Sequence, residues 1–168
     1  ISDRIIMLKN GRIIQSGTPK EMFDRPSRPF IHHFIGEANF IRGVVTRKDN
    51  GQCSIADKVN RILRATHTDL MEGDKVVAGI KTEYTILSKK EEEKFNSFQG
   101  TIDRKLFLGR FTDFEVLLAE GGIVHARLPS SIAHNFDEGD RGYVPYSPER
   151  LIVFPEPEQG LKAELEMM

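Results

Sequence analysis

The sequence has few of the features that mark several large protein classes. Cys53 is its single cysteine, so an internal disulfide is impossible, which favours a reducing compartment such as the cytoplasm. No apolar run approaches the roughly 18 to 20 residues that span a bilayer, and the first residues lack the basic and apolar regions of a signal peptide. The formal net charge of −1 argues against non-specific binding to nucleic acid or membranes, because both draw on a large positive excess.

The sequence also lacks the motifs of nucleotide-binding, metal-binding and catalytic sites. None of the 14 glycines is followed by lysine, so the Gly-Lys-Ser/Thr loop that binds nucleotide phosphates is absent. The histidines and Cys53 do not have the spacing of a zinc site, and we interpret them as surface or helix-face histidines and an inert small residue. The five histidines are His32, His33, His67, His125 and His134. Ser130 and Ser131 are interpreted as capping a short helix. The sequence predicts no catalytic residue, cofactor site or metal site in this chain.

Two apolar runs flank Asn10-Gly11 near the start of the chain, at 5–8 and 13–14. Asn-Gly between apolar strands predicts a β-hairpin, because a type I′ turn needs positive φ at both central residues. A lone hairpin is marginally stable in water, and the sequence begins at Ile1 without an initiator methionine. We therefore expect residues 1–17 to be the last hairpin of a domain that precedes this chain.

Two short helices are predicted between this hairpin and the rest of the chain. Thr18 is suited to an N-cap and Pro19 to the first helical position, which opens a helix through about Phe23. A second helix is predicted over 29–35, with Gly36 as a left-handed residue just past its end. Residues 18–39 are thus interpreted as a helical linker.

The remainder of the chain contains an internal repeat. Residues 72–87 resemble residues 138–153, with Gly73 matching Gly139 and Glu83 matching Glu149, and residues 43–48 echo residues 100–105. The first echo has an offset of 66 and the second an offset of 57, so the second unit carries about nine extra residues, expected in a loop or a longer hairpin.

Both repeats have the pattern of all-β units. Apolar and polar residues alternate over 112–118 and 124–128 around a Glu-Gly-Gly turn, which indicates a hairpin with one buried face. We predict two small Greek-key or OB-like barrel units at about 43–88 and 100–154 that pack together or share strands, because each alone buries little core. The charged run Lys89–Lys94 is predicted to be an exposed loop or short solvated helix, and the tail from Pro155 to Met168 to be frayed.

The N-terminal segment also resembles a known family. The residues that carry the likeness are Asp3-Arg4-Ile5, Gly11, Gln15, Gly17-Thr18-Pro19, Pro26, Phe30, Phe34-Ile35-Gly36 and Asn39. This pattern is similar to the end of the ATP-binding cassette in ABC importer ATPase subunits of the maltose, sulfate, polyamine, molybdate and ferric-iron type. The chain departs from it at His32, where alanine is usual.

The resemblance implies that the chain continues into a TOBE (transport-associated OB-fold) regulatory domain over residues 40–155, with a tail at 156–168. Phe107-Leu108-Gly109 and Ser147-Pro148-Glu149 stand where the family has similar motifs, whereas the first unit has Lys81-Thr82-Glu83 in place of the frequent Arg-Pro-Glu. The candidate regulatory or interface residues are Phe107, Leu108, Gly109, Glu83, Pro148 and Glu149. The expected fold class is mainly β, with tandem OB-like units preceded by the hairpin and two short helices.

The resemblance further implies a function without catalysis in this segment. ATP and Mg²⁺ would bind the missing cassette, so the full-length subunit would be the ATPase. The subunit would pair with a second copy of itself and with membrane permease subunits, in the cytoplasm at the inner face of the membrane. The main hypothesis is therefore a regulatory and dimerisation domain, which also provides for a small-molecule or regulatory-protein ligand.

Two alternative functions stay open. The first is an OB-type sensor of a small solute, such as an oxyanion, to which Ser130 and Ser131 would donate hydrogen bonds. The second is an OB-type nucleic-acid binder, in which aromatic and basic side chains form a stacking platform. That platform would consist of Phe107, Phe111, Phe114, Arg104, Lys105 and Arg110. The same aromatics would serve equally as core residues with flanking surface charges, and the mild acidity of the chain favours this interpretation.

Overall fold

The N-terminal hairpin forms as predicted. The structure, a computed structural model, describes residues 2–66, 69–92 and 96–166. Strand β1 (Ile5–Lys9) pairs antiparallel with β2 (Arg12–Gly17), and the turn residues Asn10 and Gly11 have φ of +52° and +71°. Both central positions therefore adopt the left-handed conformation that the Asn-Gly pair favours.

Helices α1 (Pro19–Asp24) and α2 (Pro29–Ile35) follow, also as predicted. Thr18 caps α1 in a reciprocal capping box with Glu21. The prediction for Gly36 is wrong, because its φ of −178° is extended rather than left-handed. The ammonium of Lys81 explains the difference, since it donates to the carbonyl oxygen of His32 (3.1 Å) and so satisfies the end of the helix.

The hairpin and the helices share a small apolar core. Its buried residues are Met7 from β1, Met22 from α1, and Phe30 and Ile31 from α2. The opposite face of the hairpin remains exposed, and its apolar residues there are Ile6, Leu8 and Ile13. The helices thus cover one face of the hairpin only.

Two units of four strands each make up the rest of the fold. The first unit contains β3 (Ala38–Asp49), β4 (Gln52–Asp57), β5 (Ile62–Thr66), β6 (Lys75–Lys81) and a 3-10 turn (Thr82–Tyr84). The second unit contains β7 (Asn96–Phe107), β8 (Phe111–Leu118), β9 (Ile123–Pro129), helix α3 (Ser130–Ala133), β10 (Arg141–Tyr146) and a second 3-10 turn (Pro148–Arg150). Strand β11 (Ile152–Pro155) and helix α4 (Leu161–Leu165) close the chain.

The two units exchange their last extended segments. Strand β11 follows the second unit but pairs with β6 of the first, with Phe154 opposite Val77. In return, Ser88 follows the first unit and bridges to Tyr143 on β10 of the second. The strand order is β11-β6-β3-β4-β5 in one curled sheet and β10-β7-β8-β9 in the other, and one apolar core lies between them. The expectation that the units share strands is confirmed.

Hydrogen bonds confirm the predicted duplication. The amide of Gly73 donates to the carbonyl of Val45, and the amide of Gly139 donates to that of Ile102, both at 2.8 Å. Both glycines have φ near +90°, which explains the choice of glycine. Each long strand also carries a β-bulge just beyond that contact, after Val45 and after Ile102.

The additional residues of the second unit are divided between two places. The offset between equivalent residues is 57 at Val45 and Ile102, because both accept the bond described above. It rises to 61 across the next strand pairing, where Ile55 and Val116 lie opposite those residues, and to 66 at Gly139. The first increase lengthens the β7–β8 hairpin, and the second accommodates α3.

The C-terminal segment differs from the prediction. Residues 155–166 are not frayed, because Pro155 belongs to β11 and helix α4 returns to the N-terminal part of the chain, where Glu164 is buried. Within the charged run, Lys89 and Lys90 are exposed, as predicted, while residues 93 and 94 lie outside the described residues.

Candidate functional site

Two asparagines join the units by equivalent contacts. The side chain of Asn39 accepts from the amide of His125 (2.8 Å) and donates to its carbonyl (2.7 Å). Asn96 accepts from the amide of Arg64 (2.6 Å) and donates to its carbonyl (2.7 Å). Each carboxamide therefore pairs with the free edge of a strand in the other unit, as a backbone peptide group would. Asn39 and Asn96 have the same offset of 57 as residues 43–48 and 100–105, so this spacing is the signal in the sequence by which the two contacts could have been found.

A cavity of about 450 Å³ lies beside the Asn39 contact. Its walls are the end of α2 with the linker at Glu37 and Ala38, the first 3-10 turn at Thr82, and the outer face of β7, β8 and β9. The cavity thus lies where the linker meets the second unit. In OB-like folds the face of the sheet and its adjoining loops are the usual ligand surface.

Ion pairs organise the rim of this cavity. The guanidinium of Arg127 makes a bidentate contact with Asp113 (2.7 Å to each oxygen) and a further contact with Glu37 (3.1 Å). The hydrogen bond with Asp113 raises the pKa of Arg127 above its usual value, with the charges of Asp113 and Glu37 acting in the same direction. Because Glu37 is in the linker and Asp113 on β8, Arg127 connects the linker to the second unit.

The first unit has an equivalent cavity of about 470 Å³ with a different charge. It is lined by Arg47 and Arg64, and Asp49 is the one carboxylate among the described residues that line it. The cavity beside the linker is lined by four carboxylates and two basic residues, which are Glu37, Asp113, Glu115, Glu138, Arg104 and Lys105. The duplicated sites have therefore diverged, and only the acidic one touches the linker.

The tip of the β7–β8 hairpin exposes apolar side chains. Phe107 is 69% exposed, and Leu106, Leu108 and Phe111 are also exposed, while Gly109 turns the chain with a φ of +79°. Ile132 on α3 is exposed as well, and the adjoining Ser130 amide donates to Arg110 near the tip. We call the five residues Leu106, Phe107, Leu108, Phe111 and Ile132 the apolar tip. The corresponding turn of the first unit, Asn50-Gly51, is polar.

The stacking-platform hypothesis finds little support in this arrangement. Phe114 is 1% exposed and belongs to the core, so it offers no face to a base. The neighbouring basic residues already have acidic partners, since Arg104 lies 3.6 Å from Glu115 and Lys105 lies 2.7 Å from Asp137. The interpretation as core aromatics is right for Phe114 and wrong for the exposed Phe107.

The structure divides the other predicted site residues between two places. Glu83 lies exposed in the first 3-10 turn, near enough to Arg127 to raise its pKa. Pro148 and Glu149 lie in the second 3-10 turn, which packs near β5 of the first unit. These turns are equivalent positions of the duplication, so Glu83 and Glu149 do not form one site.

Ser130 and His32 require corrections. Ser130 begins α3 without capping it, and its hydroxyl instead lies 3.0 Å from the hydroxyl of Thr112. His32, on α2, is 1% exposed rather than at the surface and packs between Phe40 and Phe154. Neither ring nitrogen has a hydrogen-bond partner among the described residues. Gly79 makes room for this ring, because a Cβ at that position would lie 2.8 Å from it.

Several remaining predictions concern small groups. His33, His125 and His134 are exposed, as expected, and His67 lies outside the described residues. Cys53 is buried in β4, and burial raises the pKa of its thiol. Over residues 2–66, 69–92 and 96–166, no group of three or more His, Cys, Asp or Glu side chains is arranged to hold a metal ion. Within the same ranges, no helix has the length and apolar character needed to cross a bilayer.

Comparisons with known proteins agree with the family resemblance. The TOBE domain family model matches residues 78–154. The spermidine/putrescine import ATP-binding protein PotA of Thermotoga maritima is 31% identical over 136 residues, which is 76% of this chain and 37% of that protein. The Fe(3+) ions import ATP-binding protein FbpC 1 of Rhizobium meliloti is 33% identical over 125 residues, covering 72% of this chain and 33% of that protein.

A solved structure shares the fold. The cytoplasmic molybdate-binding protein ModG matches with a TM-score of 0.63 and 15% identity, over 70% of this chain and 95% of that one. The chain spans about a third of the length of the two curated relatives named above, 37% of one and 33% of the other. It contains a TOBE domain with an OB-like fold, and over most of its length it is similar to the C-terminal region of the ATP-binding subunits of ABC importers.

Proposed function

We propose that this chain is the regulatory and dimerisation module of an importer ATPase subunit. The observation that carries the proposal is the apolar tip, because an exposed cluster of large apolar side chains marks an interaction surface. The tip lies on the hairpin that the second unit lengthens, whereas the equivalent turn in the first unit is polar. A second copy of the chain presents the same apolar patch, as a two-fold interface requires.

The proposal extends to the rest of the subunit, with support from the names of the relatives. In this proposal the ATP-binding cassette ends with residues 1–17, and the linker between the domains is 18–39. The regulatory domain is 40–155, and the tail is 156–168. ATP and Mg²⁺ bind the part of the subunit outside this chain, and that part contacts the permease at the cytoplasmic face of the membrane. Paired modules then hold two ATPase subunits close together by raising their effective concentration, without any catalytic residue here.

Sedimentation of the chain tests the dimer. Phe107→Ser combined with Leu108→Ser removes two exposed apolar side chains without touching the core, so the variant is expected to fold and to be monomeric at concentrations where the parent chain is dimeric. The folded state is checked by its thermal transition. A dimer that survives the double substitution contradicts the assignment of the interface to the apolar tip.

The outer face of the N-terminal hairpin supplies the matched control. Ile13 is 65% exposed there, so Ile13→Ser removes exposed apolar surface of a similar kind outside the apolar tip. This variant is expected to remain dimeric. If it becomes monomeric instead, the hairpin face is responsible, and the association reflects an uncovered strand edge rather than a regulatory interface.

A second candidate function is solute sensing at the acidic cavity. The specific observation is its position, because a ligand there would contact the linker and the second unit together. The relatives' names supply the probes, which are spermidine, putrescine and ferric ion, and ModG adds molybdate. A sensor is expected to show a saturable thermal shift with one of them.

Substitution at an exposed wall residue locates such binding. His125→Trp is expected to fill the acidic cavity and abolish the shift, since the side chain of His125 is exposed and lines this cavity. Arg64→Trp makes the same change in the equivalent cavity of the first unit and is the control. If Arg64→Trp alone abolishes the shift, the ligand binds the other cavity; if no probe gives a shift, the sensing function fails.

A further inference from the structure

A buried ion pair joins the two ends of the chain. The side chain of Lys9, at the end of β1, donates to the main-chain carbonyl of Glu164 on α4, and its ammonium lies 3.7 Å from the Glu164 carboxylate. These groups are 155 residues apart in sequence. The side chains of Lys9 and Glu164 are 11% and 4% exposed, so the contact is removed from water.

The surroundings of the pair also favour this geometry. The ammonium of Lys9 lies 4.5 Å from the centre of the Phe30 ring on α2, where the face of the ring attracts a cation. Gln159 donates to the Glu164 carboxylate at 3.3 Å and helps to hold it in position. The second carboxylate oxygen has no hydrogen-bond partner among the described residues, so Glu164 depends on Lys9 to compensate its charge.

The part of the molecule that this pair holds has little core of its own. The hairpin and helices share the four buried residues described above, and so small a core gives marginal stability alone. The barrel holds this part at α2, where Lys81 caps the helix and His32 packs against Phe154. The hairpin itself is held to the C-terminal segment by Lys9.

We propose that Lys9 and Glu164 form a latch that fixes the hairpin relative to the barrel. With the latch closed, the segment after β11 ties the hairpin to β11, at the edge of the sheet of the first unit. With the latch open, the hairpin is connected to the barrel through α1, where Phe23 packs against Tyr84, and through α2, and it loses its contact with the C-terminal segment. If the proposed function holds, the hairpin belongs to the cassette, and the latch sets the angle between cassette and regulatory domain.

Amide hydrogen exchange of the full chain tests the latch directly. Lys9→Met and Glu164→Gln each leave the other group buried and uncompensated, so we expect exchange in β1, β2 and α2 to become faster by about ten-fold or more, with β8 and β9 unchanged. The double variant is expected to recover part of the protection, because it removes both charges. Lys20→Met is the control, since Lys20 pairs with Asp24 on the surface of α1.

The outcomes separate a latch from an ordinary stabilising contact. Equal acceleration in β8 and β9, or complete unfolding of the single variants, would contradict a local device, because neither residue belongs to the barrel core. Exchange no faster than in Lys20→Met would also overturn the proposal. Hydrogen exchange measures the effect of the latch within one chain, whereas sedimentation measures dimer formation. Either proposal can therefore fail while the other stands.

Discussion

At the scale of single residues, the most unusual feature is the buried His32. Burial lowers the pKa of its imidazole from about 6.5 to about 3, and the nearby ammonium of Lys81 acts in the same direction. The ring is therefore neutral in the folded chain, with neither nitrogen paired among the described residues. Burying an unpaired polar group costs stability, of the order of 1 to 3 kcal/mol.

We predict that His32→Leu stabilises the chain by about 1 kcal/mol at pH 7, because it replaces an unpaired polar ring with an apolar side chain in an aromatic environment. The effect should grow on acidification. Below pH 6.5 the histidine of the unfolded chain binds a proton, whereas that of the folded chain stays neutral down to about pH 3. The parent chain therefore loses stability as the pH falls from 6.5 towards 3. Urea denaturation of both chains from pH 7 to pH 4 measures the difference. A constant difference across this range would refute the assignment.

The sequence shows the histidine but not its surroundings. Its place on an apolar helix suggested a surface or helix-face position, and nothing in the local pattern announces that Gly79, 47 residues later, leaves space for the ring. Phe107 is a similar case, since core and surface interpretations of an aromatic near a turn differ only in tertiary packing. In contrast, the Asn-Gly hairpin and the Thr18-Pro19 helix start were predictable, because turn and cap geometry are decided within four residues.

At the scale of elements, the Asn39 and Asn96 side chains hold the strands β9 and β5 at the junction between the units. Both contacts reach the backbone of the other unit, so they do not depend on which side chain lies there. Asn39 can therefore pair with the backbone of His125 and Asn96 with the backbone of Arg64, although the two side chains differ. The duplication preserved the two asparagines and let the contacted side chains diverge.

Asn39→Ala and Asn96→Ala are therefore expected to destabilise the chain by similar amounts, about 2 kcal/mol each, since each leaves a strand amide and carbonyl without a partner. Asn135→Ala is the matched control, because Asn135 is exposed and donates to the carbonyl of Ile132 within the same turn. It should change stability by less than about 0.5 kcal/mol. Chemical denaturation of the three variants measures these changes in stability. A large difference between Asn39→Ala and Asn96→Ala would show that the two junctions are not equivalent.

At the scale of the whole molecule, the exchange of extended segments between the two units makes them depend on each other. Neither sheet is complete with its own strands, because β11 borders β6 and Ser88 borders β10. The predicted unit boundaries at 43–88 and 100–154 describe the repeat in sequence, but each unit needs a segment of the other. The sequence predicted that the units pack together or share strands, but it did not show the exchange, because the sheet that an apolar run joins is decided by tertiary packing.

Truncation after Leu151 removes β11 and all later residues. It is therefore expected to destabilise the first unit, although none of the removed residues belongs to that unit in sequence. Strand β6 would lose its neighbour, and the buried Phe154 would leave the core around His32. Hydrogen exchange in β3 and β6 should become faster by at least as much as in β7 and β10. A truncated chain that keeps full protection in β6 would show that the units are independent.

The exchanged strand also bears on how the chain is made. Translation delivers residues from the N-terminus, and domains generally fold as they emerge. Here the five-stranded sheet contains β3 as its central strand, together with the edge strand β11, which is synthesised more than a hundred residues later. The edge of β6 therefore stays open while the 70 residues between Lys81 and Ile152 are synthesised, and during that interval the nascent chain needs protection from mispairing at this edge.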